Sequence, residues 1–318
     1  MGSDTSPHEL FKATLAAAKE LGPQVSFLLF AKEQYWAEGL PIEFQLTQEG
    51  IHMADEPVQA IRSQKSASLV LGIKALKNKK IDAFISAGNT GALIAAASLF
   101  LPKLPGIKRP ALLAFLPSKK GWVSVIDVGG NVQCKASLLH QYALLGIEHH
   151  RAAFGIETPR VGLLNIGHES KKGTAEHQEA FRLLSSLPNF IGNVEGRDVF
   201  FGDVEVLVTD GFTGNVFLKT AEGVATFIFE ALLAAAPEAA RPEIAGLYQK
   251  FNWRDHPGAL VAGVKGLVMK CHGSSGQKAL GSGVRGAVAL LCRNRRGGSS
   301  EPTPQSGQRG PSPPLSTR

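Results

Sequence analysis

The 318-residue sequence predicts an α/β fold: a parallel sheet with helices on both faces. Three observations carry that expectation. Short apolar runs rich in β-branched residues alternate with longer helical patterns, as βαβ units require. The runs close on Gly, Pro or Asn. The glycine-rich polar segments fall at the ends of the runs, where open α/β sheets bind ligands.

The elements follow in order along the chain. Ser6 and Pro7 open a first helix, Ser as N-cap and Pro at the first helical position, and Gly22 closes it. VSFLLF (Val25 to Phe30) reads as a buried strand. Pro57 starts a second helix, with Val58, Ile61, Leu69, Ile73 and Leu76 on its apolar face. IDAFIS, ALLAFL, WVSVIDV, RVGLLNI and VEVLVTD supply further strands, and Leu267 to Cys271 another. From Arg296 the composition turns to Gly, Ser, Pro and Gln, too poor in apolar groups to offset the entropy of ordering. One domain over residues 1–295 and a disordered tail over 296–318 are expected.

Composition narrows the function classes. The 44% hydrophobic share is ordinary for a globular protein, and no apolar stretch reaches the roughly 18 to 20 residues of a membrane span. No signal-peptide pattern opens the chain, so a cytoplasmic location is expected. Cys134, Cys271 and Cys292 form no CxxC pair, which argues against a disulfide framework or a cysteine zinc site. The histidines show no HExxH spacing, and His149-His150 reads as a solvated pair. The formal charge of +7 favours acidic partners. It is concentrated at Lys77, Lys79 and Lys80 and at Arg293, Arg295, Arg296, Arg309 and Arg318, without a nucleic-acid-binding motif.

Four strand-end segments carry the chemistry. They are AGNTG (Gly88, Asn89, Thr90, Gly91), DVGGN (Asp127, Asn131), NIGHESKKG (Asn165, Gly167, Lys171, Lys172) and DGFTGN (Asp210, Gly211, Thr213, Gly214, Asn215). Glycine lets backbone N–H groups approach an anion, and a following helix N-terminus adds a positive dipole end. The same residues also make ordinary tight turns, but four such loops at one face point to anion binding. A lysine there neutralises phosphate or stabilises charge developing on a carbonyl oxygen. Neither GxxxxGK[ST] nor a strand-linked GxGxxG is present, so no nucleotide cofactor is called for. His272, before Gly273-Ser274-Ser275, offers an acid or base, although Ser274 or Ser275 equally suits a helix cap. No GxSxG elbow supports a serine nucleophile.

With MGSDTSP, DEPVQAIR, SAGNTGAL, IDVGGN, RVGLLNIGHESKKG, NFIGNVEGRD, VTDGFTGNVFLKTAEG and HGSS in this order, the chain resembles the PlsX family of phosphate acyltransferases from Met1 to about Leu291. The resemblance implies a three-layer, Rossmann-like αβα sandwich related to isopropylmalate dehydrogenases and phosphotransacetylases. It implies a homodimer that makes acyl-phosphate from an acyl carrier protein thioester and inorganic phosphate, without a cofactor. Peripheral membrane contact and a downstream glycerol-3-phosphate acyltransferase are implied as well. Asn89, Thr90, Asn131 and Asn215 are then expected as pocket donors, Lys171 or Lys172 as the essential cation and His272 as an auxiliary acid or base. Asp4, Asp127 and Asp210 are expected to fix loops. The family pattern puts a strand immediately before the MG[GS]D element, whereas this sequence opens inside it, so a sheet strand is expected to be missing. Gly130 stands for a small apolar residue, and the stretch Gly258 to Gly263 matches loosely. Two rivals remain: a phosphotransacetylase acting on short acyl-coenzyme A, and a non-catalytic carrier-protein or membrane scaffold.

Overall fold

The computed structural model describes residues 2–3, 5–36, 39–251, 258–271 and 277–297. Helix α1 spans Pro7–Leu21; the Ser6 hydroxyl accepts the Glu9 amide at its start and Gly22 ends it, as the sequence predicts. The second predicted helix is two, α2 (Pro57–Ser63) and α3 (Ser68–Lys77). The break is fixed by Glu49, whose carboxylate takes both the amide and the hydroxyl of Ser66. It turns Val58 out to solvent, while Ile61, Leu69, Ile73 and Leu76 stay buried.

Strands β1 (Leu28–Ala31) and β2 (Glu43–Leu46) form a small parallel sheet. The main sheet has eight strands: β3 (Ala83–Ser86), β4 (Ala111–Ser118), β5 (Gly121–Ile126), β6 (Val161–Leu164), β7 (Phe190–Val194), β8 (Val206–Val208), β9 (Ala259–Ala262) and β10 (Leu267–Lys270). Its order is β3-β10-β9-β4-β5-β8-β6-β7. β5, β8, β6 and β7 run parallel, as expected. The sheet is nevertheless mixed, because β9 is antiparallel to both β10 and β4 and β4 is antiparallel to β5. The physical reason is local: Lys119-Lys120 close a hairpin between the paired Ser118 and Gly121, and Gly121 takes φ +139°. β2, β7 and β9 escape sequence reading. β2 is half polar, β7 carries Gly192 and Asn193, and β9 is a four-residue apolar run with no alternation.

Helices cover both sheet faces. α3 and α4 (Thr90–Phe100) bury Ile73, Leu93 and Ala97 against Leu112, Leu116, Val125 and Leu207. On the other face α5 (Ala136–Phe154) and α6 (Ala175–Leu184) bury Leu139, Tyr142 and Leu184 against Leu113, Ile126, Leu163 and Val208. α1 packs on α9 (Gln277–Gly297) beside Ala87 and Cys271. α7 (Gly211–Ala235) leaves the core after its first turns and meets α8 (Arg241–Phe251). The alternation along β4, with Leu112, Ala114 and Leu116 to one side and Ala111 and Leu113 to the other, is what a strand buried on both faces requires.

His149-His150 is a correction. Both lie inside α5, His150 fully buried with Nδ1 2.8 Å from the Ser124 hydroxyl. Burial holds both imidazoles down to about 4. The expected tail lies outside the described residues from Gly298 onward, and α9 itself runs to Gly297.

Candidate active site

Three of the four glycine-rich loops leave the sheet together, after the adjacent parallel strands β5, β8 and β6. The fourth does not. Three antiparallel steps separate β3 from β5 (β10 to β9, β9 to β4, β4 to β5), so β3 runs against β5 and AGNTG leaves with the β10 end. The expectation of four loops at one set of strand ends is corrected accordingly. The link back is α4, where Ile94 Cδ1 lies 3.3 Å from the position a Cβ on Gly130 would occupy.

Asp127 organises the DVGGN loop. Its Oδ1 accepts the amides of Leu112 (3.0 Å), Gly129 (3.1 Å) and Gly130 (2.7 Å), and its Oδ2 accepts Asn131 N (2.8 Å) and Nδ2 (2.9 Å). Burial pushes this fully buried carboxyl up from the ordinary aspartate range, and the Asn131 side chain and the backbone amides pull it back. All five partners are N–H donors, so the ionised carboxylate is the form that satisfies them.

The DGFTGN loop locks onto this one. Asp210 caps α7 by accepting the amide and the hydroxyl of Thr213, each at 2.8 Å. The Gly211 amide donates to the Asn131 carbonyl at 2.8 Å. A Cβ on Gly214 would sit 1.9 Å from the Asp127 carbonyl oxygen, so only glycine permits this approach. The Asn215 side chain, in the next position, makes no hydrogen bond among the described residues, and its Nδ2 lies 3.4 Å from the Cβ position of Gly129.

The NIGHESKKG loop follows β6. Asn165 accepts the Ile166 amide and donates to the Lys172 carbonyl. Gly173 turns at φ +85°, and a Cβ there would lie 2.7 Å from Asn165 Oδ1. A Cβ on Gly167 would press on the Glu169 carboxylate. Lys171 and Lys172 are exposed; Lys172 Nζ stands 3.9 Å from Glu169. In AGNTG, Asn89 caps α4 through Oδ1 and spends Nδ2 on the carbonyls of His52, Met53 and Asp55. Asn131 spends Nδ2 on Pro110 and Asp127. Both amides are thus engaged inside the protein, whereas the Thr90 hydroxyl and the Asn215 side-chain amide make no hydrogen bond among the described residues. Gly88 is buried, and a Cβ on Gly91 would meet the Pro57 ring at 2.6 Å. Asp4, His272, Ser274 and Ser275 lie outside the described residues.

The model of the fatty acid synthesis protein family matches residues 1–296. A phosphate acyltransferase of Oceanobacillus iheyensis is 42% identical over 309 residues, covering 92% of this chain and 92% of its own. One of Brevibacillus brevis is 40% identical over 310 residues, with 92% of each covered. The chain belongs to the PlsX family of phosphate acyltransferases. For this PlsX-family chain, solved structures at low identity show the fold. A branched-chain phosphotransacylase of Enterococcus faecalis superposes with TM-score 0.60 at 15% identity, covering 91% of this chain and 97% of that one. The EutD phosphotransacetylase of Staphylococcus aureus gives 0.57 at 14%, with 89% and 91% covered. The expected kinship with phosphotransacetylases therefore holds at the level of fold.

Two polar features went unread in the sequence. Lys270, at the carboxyl end of β10, is 7% exposed and donates to the carbonyls of Ala87 and Cys271, next to AGNTG. The signal was a charged residue closing the apolar run LVMK. His168, Glu195 and Asp198 gather with ligand atoms within 4.8 Å of one another, the one such metal-competent group among the described residues. Arg197 sits 3.0 Å from Glu195 and 3.7 Å from Asp198, so two cationic-capable groups already face the two carboxylates. No helix among the described residues is long and apolar enough to cross a membrane.

Proposed function

We propose that this chain transfers an acyl group from an acyl carrier protein thioester to inorganic phosphate. The observation that carries the reading is the interlock of the β5 and β8 loops. It holds the first turn of a 25-residue helix and the unengaged Asn215 side chain after β8, the strand paired with β6, whose loop bears Lys171 and Lys172. Helix-terminal N–H groups, a side-chain amide and a lysine from the neighbouring loop would suit a phosphate and the oxyanion of an acyl transfer.

In the proposed reaction a phosphate oxygen attacks the thioester carbonyl. The tetrahedral oxyanion collapses, the C–S bond breaks, and the carrier thiolate takes up a proton and leaves. Direct attack accords with the cysteines. Burial, then the Asp127 charge, pushes the Cys134 thiol up to about 11, and burial pushes Cys271 to about 11. Neither is an activated nucleophile. Asp127 and Asp210 fix loops, and Asn89 and Asn131 hold backbone in place. Thr90, Asn215 and one of Lys171 and Lys172 face substrate, with His272 as auxiliary acid or base. The net charge of +7 favours an acidic carrier protein.

The test is phosphate-dependent loss of acyl carrier protein thioester with formation of acyl-phosphate, run beside acetyl-coenzyme A. Preference for acetyl-coenzyme A overturns the substrate and favours the phosphotransacetylase reading. No turnover with either favours the scaffold. For assembly, α7 exposes Phe212, Val224, Phe227, Ile228 and Leu232 and α8 exposes Leu247, an apolar surface suited to a dimer partner. The same surface is the proposed place of peripheral membrane contact, to be read by liposome co-sedimentation of Leu247→Glu. Acyl-phosphate released there would supply glycerol-3-phosphate acylation. Trp253 lies outside the described residues, as does the Phe251 side chain.

A further inference from the structure

Basic residues are unevenly placed in this fold. Between Pro57 and Ile126 stand eleven lysines and arginines and one acidic residue, Asp82. Sheet direction gathers six of the eleven, with Lys265, at one end of the main sheet. β4 is antiparallel to β5 and so starts where β5 ends, and the Pro110 carbonyl just before it accepts Asn131 Nδ2 of the DVGGN loop at 2.8 Å. β9 is antiparallel to β4 and ends at that edge, whereas β10 and β3 run with β4 and start there. The edge from which the DVGGN, DGFTGN and NIGHESKKG loops leave therefore also carries three basic turns. Lys77, Lys79 and Lys80 precede β3, Lys265 lies between β9 and β10, and Lys103, Lys108 and Arg109 precede β4.

These turns form one surface. The Lys265 amide donates to the Pro102 carbonyl at 2.8 Å, and Lys103 pairs with Val264 in an antiparallel bridge. Lys103 Nζ donates to the Lys108 carbonyl at 2.9 Å. Gln141 of α5 accepts the Lys108 amide at 2.6 Å and donates to the Arg109 carbonyl at 2.9 Å. A Cβ on Gly266 would lie 3.1 Å from Leu76, the residue before Lys77. All seven basic residues are exposed, and none forms an ion pair with a carboxylate among the described residues.

We infer, resting on the acyl transfer proposed for this chain, that this basic face is the docking surface for the acidic carrier protein that brings the thioester. The dimensions suit a protein surface. Four inter-strand steps separate β3 from β5, and at about 4.8 Å each they cover about 19 Å, the length of a helix of about 13 residues. Cations crowded without counter-charges repel one another, and an acidic partner relieves that repulsion where a neutral one does not. The bond from Asn131 to Pro110 joins the basic strap to the candidate site, so a carrier docked here presents its thioester at the loops. An anionic bilayer supplies the charge but not the thioester, and the apolar residues suited to lipid lie on α7 and α8 instead.

The test reverses charge on the face in two independent variants, Lys108→Glu with Lys265→Glu and Lys77→Glu with Lys80→Glu. Lys119→Glu with Lys120→Glu makes the same charge change on the β4–β5 hairpin, at the opposite end of the sheet. Binding of acyl carrier protein is read by titration calorimetry at low salt, and KM for the carrier thioester and for phosphate by turnover. The Kd and the carrier KM are expected to rise about tenfold or more in both face variants and less than about twofold in the hairpin variant, with phosphate KM unaltered. Lys108→Arg with Lys265→Arg should bind as the unaltered chain does. Unaltered carrier binding in the face variants, or equal weakening in the hairpin variant, overturns the inference. Loss of binding to phosphatidylglycerol vesicles with carrier binding retained overturns it in favour of a lipid surface. Carrier binding lost from the face variants, in a chain that forms no acyl-phosphate, upholds the surface and overturns the reaction. Acyl-phosphate formation with an unaltered carrier KM in the face variants upholds the reaction and overturns the surface.

Discussion

Asp127→Asn tests whether the carboxylate cage holds the candidate site together. The substitution keeps the shape and replaces one oxygen by an NH₂ group facing N–H donors. Oδ1 serves three donors and Oδ2 two, so the less costly orientation puts the amide nitrogen at Oδ2 and loses the Asn131 N and Nδ2 bonds, 2.8 and 2.9 Å long. Hydrogen bonds to a charged group contribute about 1.5–3 kcal/mol each, so about 3–6 kcal/mol is lost. Relief from burying a charge offsets part of this, since burial is the largest influence on the Asp127 carboxyl. A net destabilisation of about 3 kcal/mol is expected, which a domain of about 5–15 kcal/mol survives. Urea unfolding should show a lower midpoint at unchanged slope. Phosphate KM should rise and kcat fall in the variant at 20 °C, well below its unfolding transition, because Gly211 and Asn215 are placed through this loop. A loss under about 1 kcal/mol with unaltered phosphate KM would refute the cage as the organiser of the site.

Gly214→Ala is expected to be insoluble or to lose several kcal/mol, because its Cβ would overlap the Asp127 carbonyl. Gly223→Ala, with nothing within 4 Å, should instead stabilise α7 by about 0.5–1 kcal/mol, read by thermal melting. Acid should destabilise the protein between pH 6.5 and 4. The folded chain keeps His149 and His150 neutral down to about 4, whereas the unfolded chain takes up protons near 6.5, so the unfolded state gains protons first as pH falls. The loss reaches at most about 3 kcal/mol per histidine, and equal stability at pH 7 and pH 5 would contradict it. Lys171→Ala or Lys172→Ala should cut acyl-phosphate formation about 100-fold in at least one case, with the circular dichroism melt unchanged. Phe227→Glu with Ile228→Glu should shift sedimentation from dimer to monomer; an unaltered oligomer removes this face from the interface.

Much of the fold was legible because its determinants are local. Ser6, Pro7 and Gly22 bound α1 through side-chain capping and permitted dihedrals, the β-branched runs before the glycine-rich segments mark β3, β5, β6 and β8, and the apolar run ALLAFL marks β4. The motifs are long enough for the sequence alone to show the resemblance to the family. Sheet direction was not legible, because a strand carries the same pattern whichever way its neighbour runs, and the hairpin at Lys119-Lys120 lacks an Asn-Gly signature. Only tertiary structure decided that His150 is buried on Ser124, that Asn89 and Asn131 spend their amides on backbone carbonyls, and that Lys270 closes a buried strand. Those outcomes depend on partners 21 to 183 residues away along the chain, and burial and pairing at such separations are set by packing rather than by neighbouring sequence.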